Sequence, residues 1–192
     1  MTQEQILTIV TKTLAGHAIP YMITGSLAVV FYGRPRYTHD LDIVLAVSRA
    51  SIERLRGALK ALSKHFHLFV DLSSLDTVLA SQQMISLLDH TSGMKVDLWI
   101  LGQDPFAKEV FGRRLTKQVL KASIHFISPE DLILTKLVWS KQSESSRHLE
   151  DIYTVYEGQK GKLDEQYITK WAKKLSVESL LRKAKAMADP QQ

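Results

Sequence analysis

"MITGSLAVVFYGRPRYTHDLDIVLAV", residues 22–47, decides how the rest of the chain is read. It begins as an apolar strand, breaks at Gly25-Ser26, continues as a short helix over 27–32 and stops at Gly33. A loop, "RPRYTH", carries the chain past Pro35 into a strand rich in β-branched residues from Asp40. Side chains alternate across a strand, so Leu41, Ile43, Leu45 and Val47 form one apolar face, while Asp40 and Asp42 open the other. A carboxylate among apolar neighbours is costly unless something positive meets it. Two on one face mark a place for a cation.

The stretch "MISLLDHTSGMKVDLWIL", residues 84–101, repeats this logic as a hairpin turning at Gly93. Met94, Val96, Leu98 and Ile100 make an apolar face, and Asp97 stands on the opposite one between Lys95 and Trp99. If this strand neighbours the one from Asp40, with both apolar faces turned the same way, Asp40, Asp42 and Asp97 converge. Their mutual repulsion then raises a carboxyl pKa unless divalent cations neutralise them. An all-oxygen set suits Mg²⁺ or Mn²⁺, ions that serve phosphoryl and nucleotidyl transfer. Gly25 and Ser26 sit where a strand becomes a helix, and N–H groups at a helix start attract phosphate. Glycine admits a close approach and the serine hydroxyl adds a hydrogen bond. The same two residues also suit an ordinary turn and helix cap.

Elsewhere the periodicity predicts a helix over 2–16 burying Ile6, Leu7, Val10 and Leu14, and a helix over 48–65 capped by Ser48. A short strand over 67–70, a helix over 104–113 and strands over 114–119 and 123–127 complete the first two-thirds; residues 71–83 fit no single pattern. From Ser128 onward everything reads as helix, with Ser128 as cap, Pro129 in first position and Asp131 completing a capping box. Three more helices follow over 144–188, broken near "EGQKGK" and at Ser176. The plan is α+β: a small mixed sheet packed by helices, then a helical segment.

The chain has 192 residues, 45% of them hydrophobic, and no cysteine, which excludes disulfides, thiolate metal sites and cysteine nucleophiles. Its start is polar and acidic, and no apolar run approaches the roughly 18 residues of a membrane span. A cytoplasmic protein with no membrane association is expected. The net charge of +5 permits an anionic partner, a nucleoside triphosphate or a nucleic acid. Lys160, Lys162, Lys170, Lys173, Lys174, Lys183 and Lys185 enrich the last third, on what the helical spacing makes a solvated face.

Gly25-Ser26 after a strand, D-x-D at Asp40 and Asp42, and Asp97 on a later strand resemble, in order and spacing, the nucleotidyltransferase fold of the DNA polymerase β superfamily. Within it, "GSLAVVFYGRPRYTHDLDIV" and "SPEDLILTKLVW…SSRHLEDIYTVY" are similar to the small bacterial AbiEii-type nucleotidyltransferases, many of them toxins of toxin–antitoxin pairs. The resemblance implies a catalytic core over 1–127 and a C-terminal helical segment over 128–192 that packs on it. It implies Asp40, Asp42 and Asp97 as catalytic residues and ligands of Mg²⁺ or Mn²⁺, with Asp97 helping to deprotonate an acceptor hydroxyl. Gly25, Ser26, Arg36, Lys136 and Asp151 would bind the nucleoside triphosphate, with Arg147 a weaker match. The acceptor would be tRNA, protein or a small molecule, and an antitoxin would be the partner. One departure is His148, where such segments often carry an acidic residue. Read without the resemblance, Lys136 is a snorkelling surface lysine or a phosphate contact, and Arg147 and Asp151 pair along their helix. "GRPRYTHDLD" also looks like the loop of lincosamide and aminoglycoside nucleotidyltransferases, so antibiotic modification is the runner-up. A non-catalytic nucleotide- or protein-binding member of the fold is the third reading.

Overall fold

The strand pattern read from the sequence closes into one mixed seven-stranded sheet, ordered β3-β4-β5-β2-β1-β7-β6 in a computed structural model that describes residues 1–143 and 146–188. The strands are β1 (Tyr21–Thr24), β2 (Asp40–Leu45), β3 (His67–Leu68), β4 (Ile85–Leu88), β5 (Lys95–Ile100), β6 (Leu115–Val119) and β7 (Ala122–Phe126). The helices are α1 (Gln3–Gly16), α2 (Gly25–Tyr32), α3 (Ile52–Leu62), α4 (Leu75–Ala80), α5 (Pro105–Gly112), α6 (Pro129–Ser143), α7 (Ser146–Gly158), α8 (Glu165–Lys174) and α9 (Glu178–Ala188). The expected helix start at Glu144 lies outside the described residues, as does the end of the expected C-terminal segment beyond 188.

The chain forms two compact units, residues 1–25 with 38–126 and residues 26–37 with 127–192. The first holds the whole sheet. β2 is its hinge of connectivity: antiparallel to β1 on one side and parallel to β5 on the other. Parallel neighbours need a long crossover, which here is the run through α3, β3, α4 and β4. Leu41, Ile43 and Leu45 are buried beside Ile23, Val96, Leu98 and Ile100, the apolar face the alternation demands. Each such side chain contributes about 1.5–3 kcal/mol by leaving water. α1 buries Ile6, Leu7, Val10 and Leu14 as its spacing requires, and Thr2 and Gln5 close a capping box at its start.

One local expectation is corrected. Ser48 does not start a long helix: Ser51 Oγ accepts from the Ser48 amide and donates to the Ser48 carbonyl. The serine thereby closes a 3₁₀ turn over Arg49–Ser51, and α3 begins only at Ile52. Residues 71–83, which no single period describes, hold a 3₁₀ turn over Leu72–Ser74 capped by Asp71 and the short α4.

The second unit is helical. Asp131 N–H donates to Ser128 Oγ at 3.1 Å, so the predicted cap opens α6, while Ser128 Oγ–H turns to Asp131 Oδ2 at 2.6 Å. α2 belongs here from Ser26 onward because its end is held by later residues. Tyr32 Oη donates to the Ile127 carbonyl, and Gln159 Nε2 donates to the Tyr32 carbonyl. α7 ends at Gly158 against the same place: a Cβ there would lie 2.2 Å from the Tyr32 carbonyl oxygen. Among the described residues no helix is long and apolar enough to cross a membrane.

Candidate active site

In the first unit the register of β2 and β5 pairs Asp42 with Asp97 and Asp40 with Lys95. Residues paired in this way project from the same side of a sheet, so the three aspartates share a face with Lys95. β1 adds Thr24, paired with Asp42, and β4 adds Ser86, paired with Asp97. The condition set by the sequence, neighbouring strands with apolar faces alike, is thus met. Asp40 is exposed, Asp42 half-buried and Asp97 buried.

Asp42 is held from two sides. The Trp99 indole N–H donates to its Oδ1 at 3.3 Å. Its Oδ2 faces Gly25, where an added Cβ would lie only 1.9 Å away. Gly25 also has φ of +62°, in the region that favours glycine. A turn that brings the backbone this close to a carboxylate therefore requires glycine twice over.

Asp97 is engaged differently. Lys95 Nζ donates to Oδ2 at 2.8 Å and Ser86 Oγ–H to Oδ1 at 2.7 Å. The bond to Asp97 holds the Lys95 pKa above its ordinary value; partial burial opposes this, and the charges of Asp97, Asp40 and Asp42 add to it. Among the described residues no three His, Cys, Asp or Glu side chains come together closely enough to hold a metal ion. The donor chemistry nevertheless fits a hard divalent cation. Asp40, Asp42 and Asp97 offer carboxylate oxygens and Thr24 and Ser86 hydroxyl oxygens on one face, where the Lys95 ammonium already stands among the acids as a cation. Thr24 Oγ1, buried on this face, has no hydrogen-bond partner among the described residues. Such an orphaned oxygen is a further donor for a ligand.

The remaining predicted residues meet in the second unit. Asp151 is buried, and each of its oxygens takes one cation: Lys136 Nζ at 2.9 Å and Arg36 Nη2 at 3.1 Å. The same Arg36 nitrogen donates to Ser26 Oγ at 3.2 Å. Ser26, Arg36, Lys136 and Asp151, spread over 126 residue positions in the chain, thus form one polar group with two cations and one anion. Lys136 is not the snorkelling lysine that its helix alone suggests; it is 3% exposed, with Trp139 at 5.3 Å completing its surroundings. Asp151 likewise takes partners from outside its own helix, Lys136 of α6 and Arg36 of the loop after α2. His148 packs against Trp139, and burial, reinforced by the Lys136 charge, holds its pKa below 6.5. Arg34 lies on the Tyr153 ring and pairs with Glu157.

Lys95, Ser86, Trp99 and Thr24 were not singled out from the sequence. For Lys95 and Trp99 a signal existed, since both lie two residues from Asp97 and must share its face. Ser86 and Thr24 needed the register.

No curated protein matches the chain by sequence. Among solved structures it is similar to the antibiotic-resistance factor ANT(2'')-Ia, with a TM-score of 0.60 and 10% identity, covering 92% of this chain and 95% of that one. It is similar also to a nucleotidyltransferase-like protein from Paracoccidioides brasiliensis, with a TM-score of 0.56 and 16% identity over 93% and 91% of the two chains. The lincosamide antibiotic adenylyltransferase LnuA gives a TM-score of 0.55 at 13% identity over 81% and 96%. At these identities the likeness is one of fold, and the fold is that of nucleotidyltransferases. The family model described as "Nucleotidyl transferase AbiEii toxin, Type IV TA system" matches residues 23–190, which is most of the chain. The chain belongs to the AbiEii nucleotidyltransferase toxin family.

Proposed function

We propose that this protein transfers a nucleoside monophosphate from a nucleoside triphosphate to a hydroxyl of an RNA acceptor such as tRNA, as the toxin of a toxin–antitoxin pair in the cytoplasm. The carrying observation is the Asp42–Asp97 register on adjacent parallel strands, with Asp40 one pleat away and Gly25 packed on Asp42. Asp40, Asp42 and Asp97 would hold Mg²⁺ or Mn²⁺, which when bound neutralises the charge that accumulates on the phosphates. In the transfer, the acceptor oxygen bonds to the α-phosphorus, the bond from that phosphorus to the bridging oxygen breaks, and pyrophosphate leaves. Asp97 helps to take the hydroxyl proton. The amides at the start of α2 receive phosphate oxygens, Ser26 adds a hydroxyl, and Arg36 and Lys136 supply positive charge. Asp151 is a positioning residue that holds both cations. Work of this kind is mostly placement and charge balance.

An RNA acceptor is favoured by the exposed lysines of the second unit, Lys160, Lys162, Lys170, Lys173 and Lys174. The test incubates the protein with each α-labelled nucleoside triphosphate, Mg²⁺ or Mn²⁺, and separate pools of RNA, protein and aminoglycoside or lincosamide antibiotics. Label in the RNA pool that disappears with Asp40→Ala/Asp42→Ala is the expected result. Label in another pool reassigns the acceptor. Label that survives the double substitution overturns the role of the aspartates.

A further inference from the structure

Three carboxylates on one sheet face repel one another, and a folded protein must balance them before any metal ion arrives. Lys95 is placed to offset one of these charges. It lies opposite Asp40 in the register, bonds Asp97 directly, and feels the charges of Asp97, Asp40 and Asp42 together. With Ser86 on the other oxygen, each oxygen of Asp97 already accepts one hydrogen bond, and on Oδ2 a divalent cation would meet the Lys95 ammonium, a like charge. The lysine side chain is 41% exposed against 10% for Asp97, so it can swing into solvent on its flexible stem without opening the core.

We propose that Lys95 is the resident counter-ion of this face: its ammonium holds Asp97 while no metal is present, and a divalent cation must displace it to gain that carboxylate. The proposal rests on the reading of Asp40, Asp42 and Asp97 as the metal site. It makes Lys95 a positioning residue. On the metal-free face the lysine offsets one of the three negative charges, and metal binding is weakened by the displacement it must perform.

The test is Mn²⁺ binding to the whole chain without nucleotide, read by the electron paramagnetic resonance signal of free Mn²⁺. Lys95→Met is expected to bind Mn²⁺ roughly three- to tenfold more tightly, the scale of removing one partly exposed charge interaction with a doubly charged ion. Lys95→Arg, which keeps the charge, should bind like the parent. Lys60→Met removes the same net charge from an exposed position of α3 and should also leave the affinity unchanged. Thermal melting of each variant establishes that it is folded at the titration temperature. If Mn²⁺ binding depends on Asp42 but Lys95→Met binds no more tightly than the parent, the counter-ion proposal is overturned and the metal site stands. Equal tightening by Lys60→Met would also overturn it, since bulk charge would then suffice. Binding that is indifferent to Asp42→Asn would overturn the metal site itself, and this proposal with it.

Discussion

Gly25→Ala should be far more damaging than a surface glycine substitution, and most of the excess should be traceable to one neighbour. Alanine at φ of +62° pays the left-handed backbone penalty, about 1–2 kcal/mol. Its methyl would also lie 1.9 Å from Asp42 Oδ2, 2.6 Å from Cγ and 2.8 Å from Cβ, so the aspartate must turn away. Turning off its rotamer costs about 0.5–1.5 kcal/mol, and losing the Trp99 hydrogen bond a similar amount. The sum is about 2–5 kcal/mol, or roughly 4–20 °C in Tm for a chain of this size. A double-mutant cycle separates the contributions, because Asp42→Gly removes all three atoms that the methyl meets. Urea midpoints of the parent, Gly25→Ala, Asp42→Gly and the double variant should show the alanine costing only about 1–2 kcal/mol once Asp42 is gone. An equal cost in both backgrounds would refute the account, leaving backbone conformation as the whole reason for glycine and no close packing against the carboxylate.

Lys136→Met leaves buried Asp151 with Arg36 and should destabilise the protein by about 3–5 kcal/mol in chemical denaturation, the scale of a broken buried ion pair. Lys136→Met/Asp151→Leu should recover part of that loss; no recovery would mean that the lysine stem, not its charge, carries the effect. Burial first, and the Arg114 charge second, hold the His125 pKa below 6.5. The unfolded chain therefore takes up its proton before the folded chain does, so stability is full above 6.5 and falls as the pH drops through 6.5 toward the lowered value. His125→Asn should make the stability–pH curve flatter than the parent's below pH 6.5, with His148 contributing the same slope to both. Replacing Lys170, Lys173 and Lys174 together by Gln should change stability by less than about 1 kcal/mol while weakening RNA retention and reducing its salt dependence. Unchanged salt dependence would remove these lysines from the RNA surface.

What the sequence by itself determined is local. The period-two alternation in β2 and β5 separated apolar faces from the faces carrying Asp40, Asp42 and Asp97, because side-chain direction on a strand depends only on residue parity. Gly25, Gly33 and the Ser128-Pro129 pair placed turns and helix starts, because their backbone preferences act within a few residues. The nucleotidyltransferase fold was legible for the same reason: its signature is a short run of such elements in order. Where a side chain finds competing partners close by, even local reading fails, as when Ser51 closes a turn ahead of α3. Tertiary structure alone decided the pairings. That Asp42 faces Asp97, that Lys95 and Ser86 occupy the carboxylate of Asp97, and that Lys136 is buried against Asp151 beside Arg36 all depend on which distant segments meet. No residue's own neighbours encode that choice. It is made by register and packing across the whole chain, where a shift of one residue in β2 or in β5 would turn that strand's carboxylates toward the core.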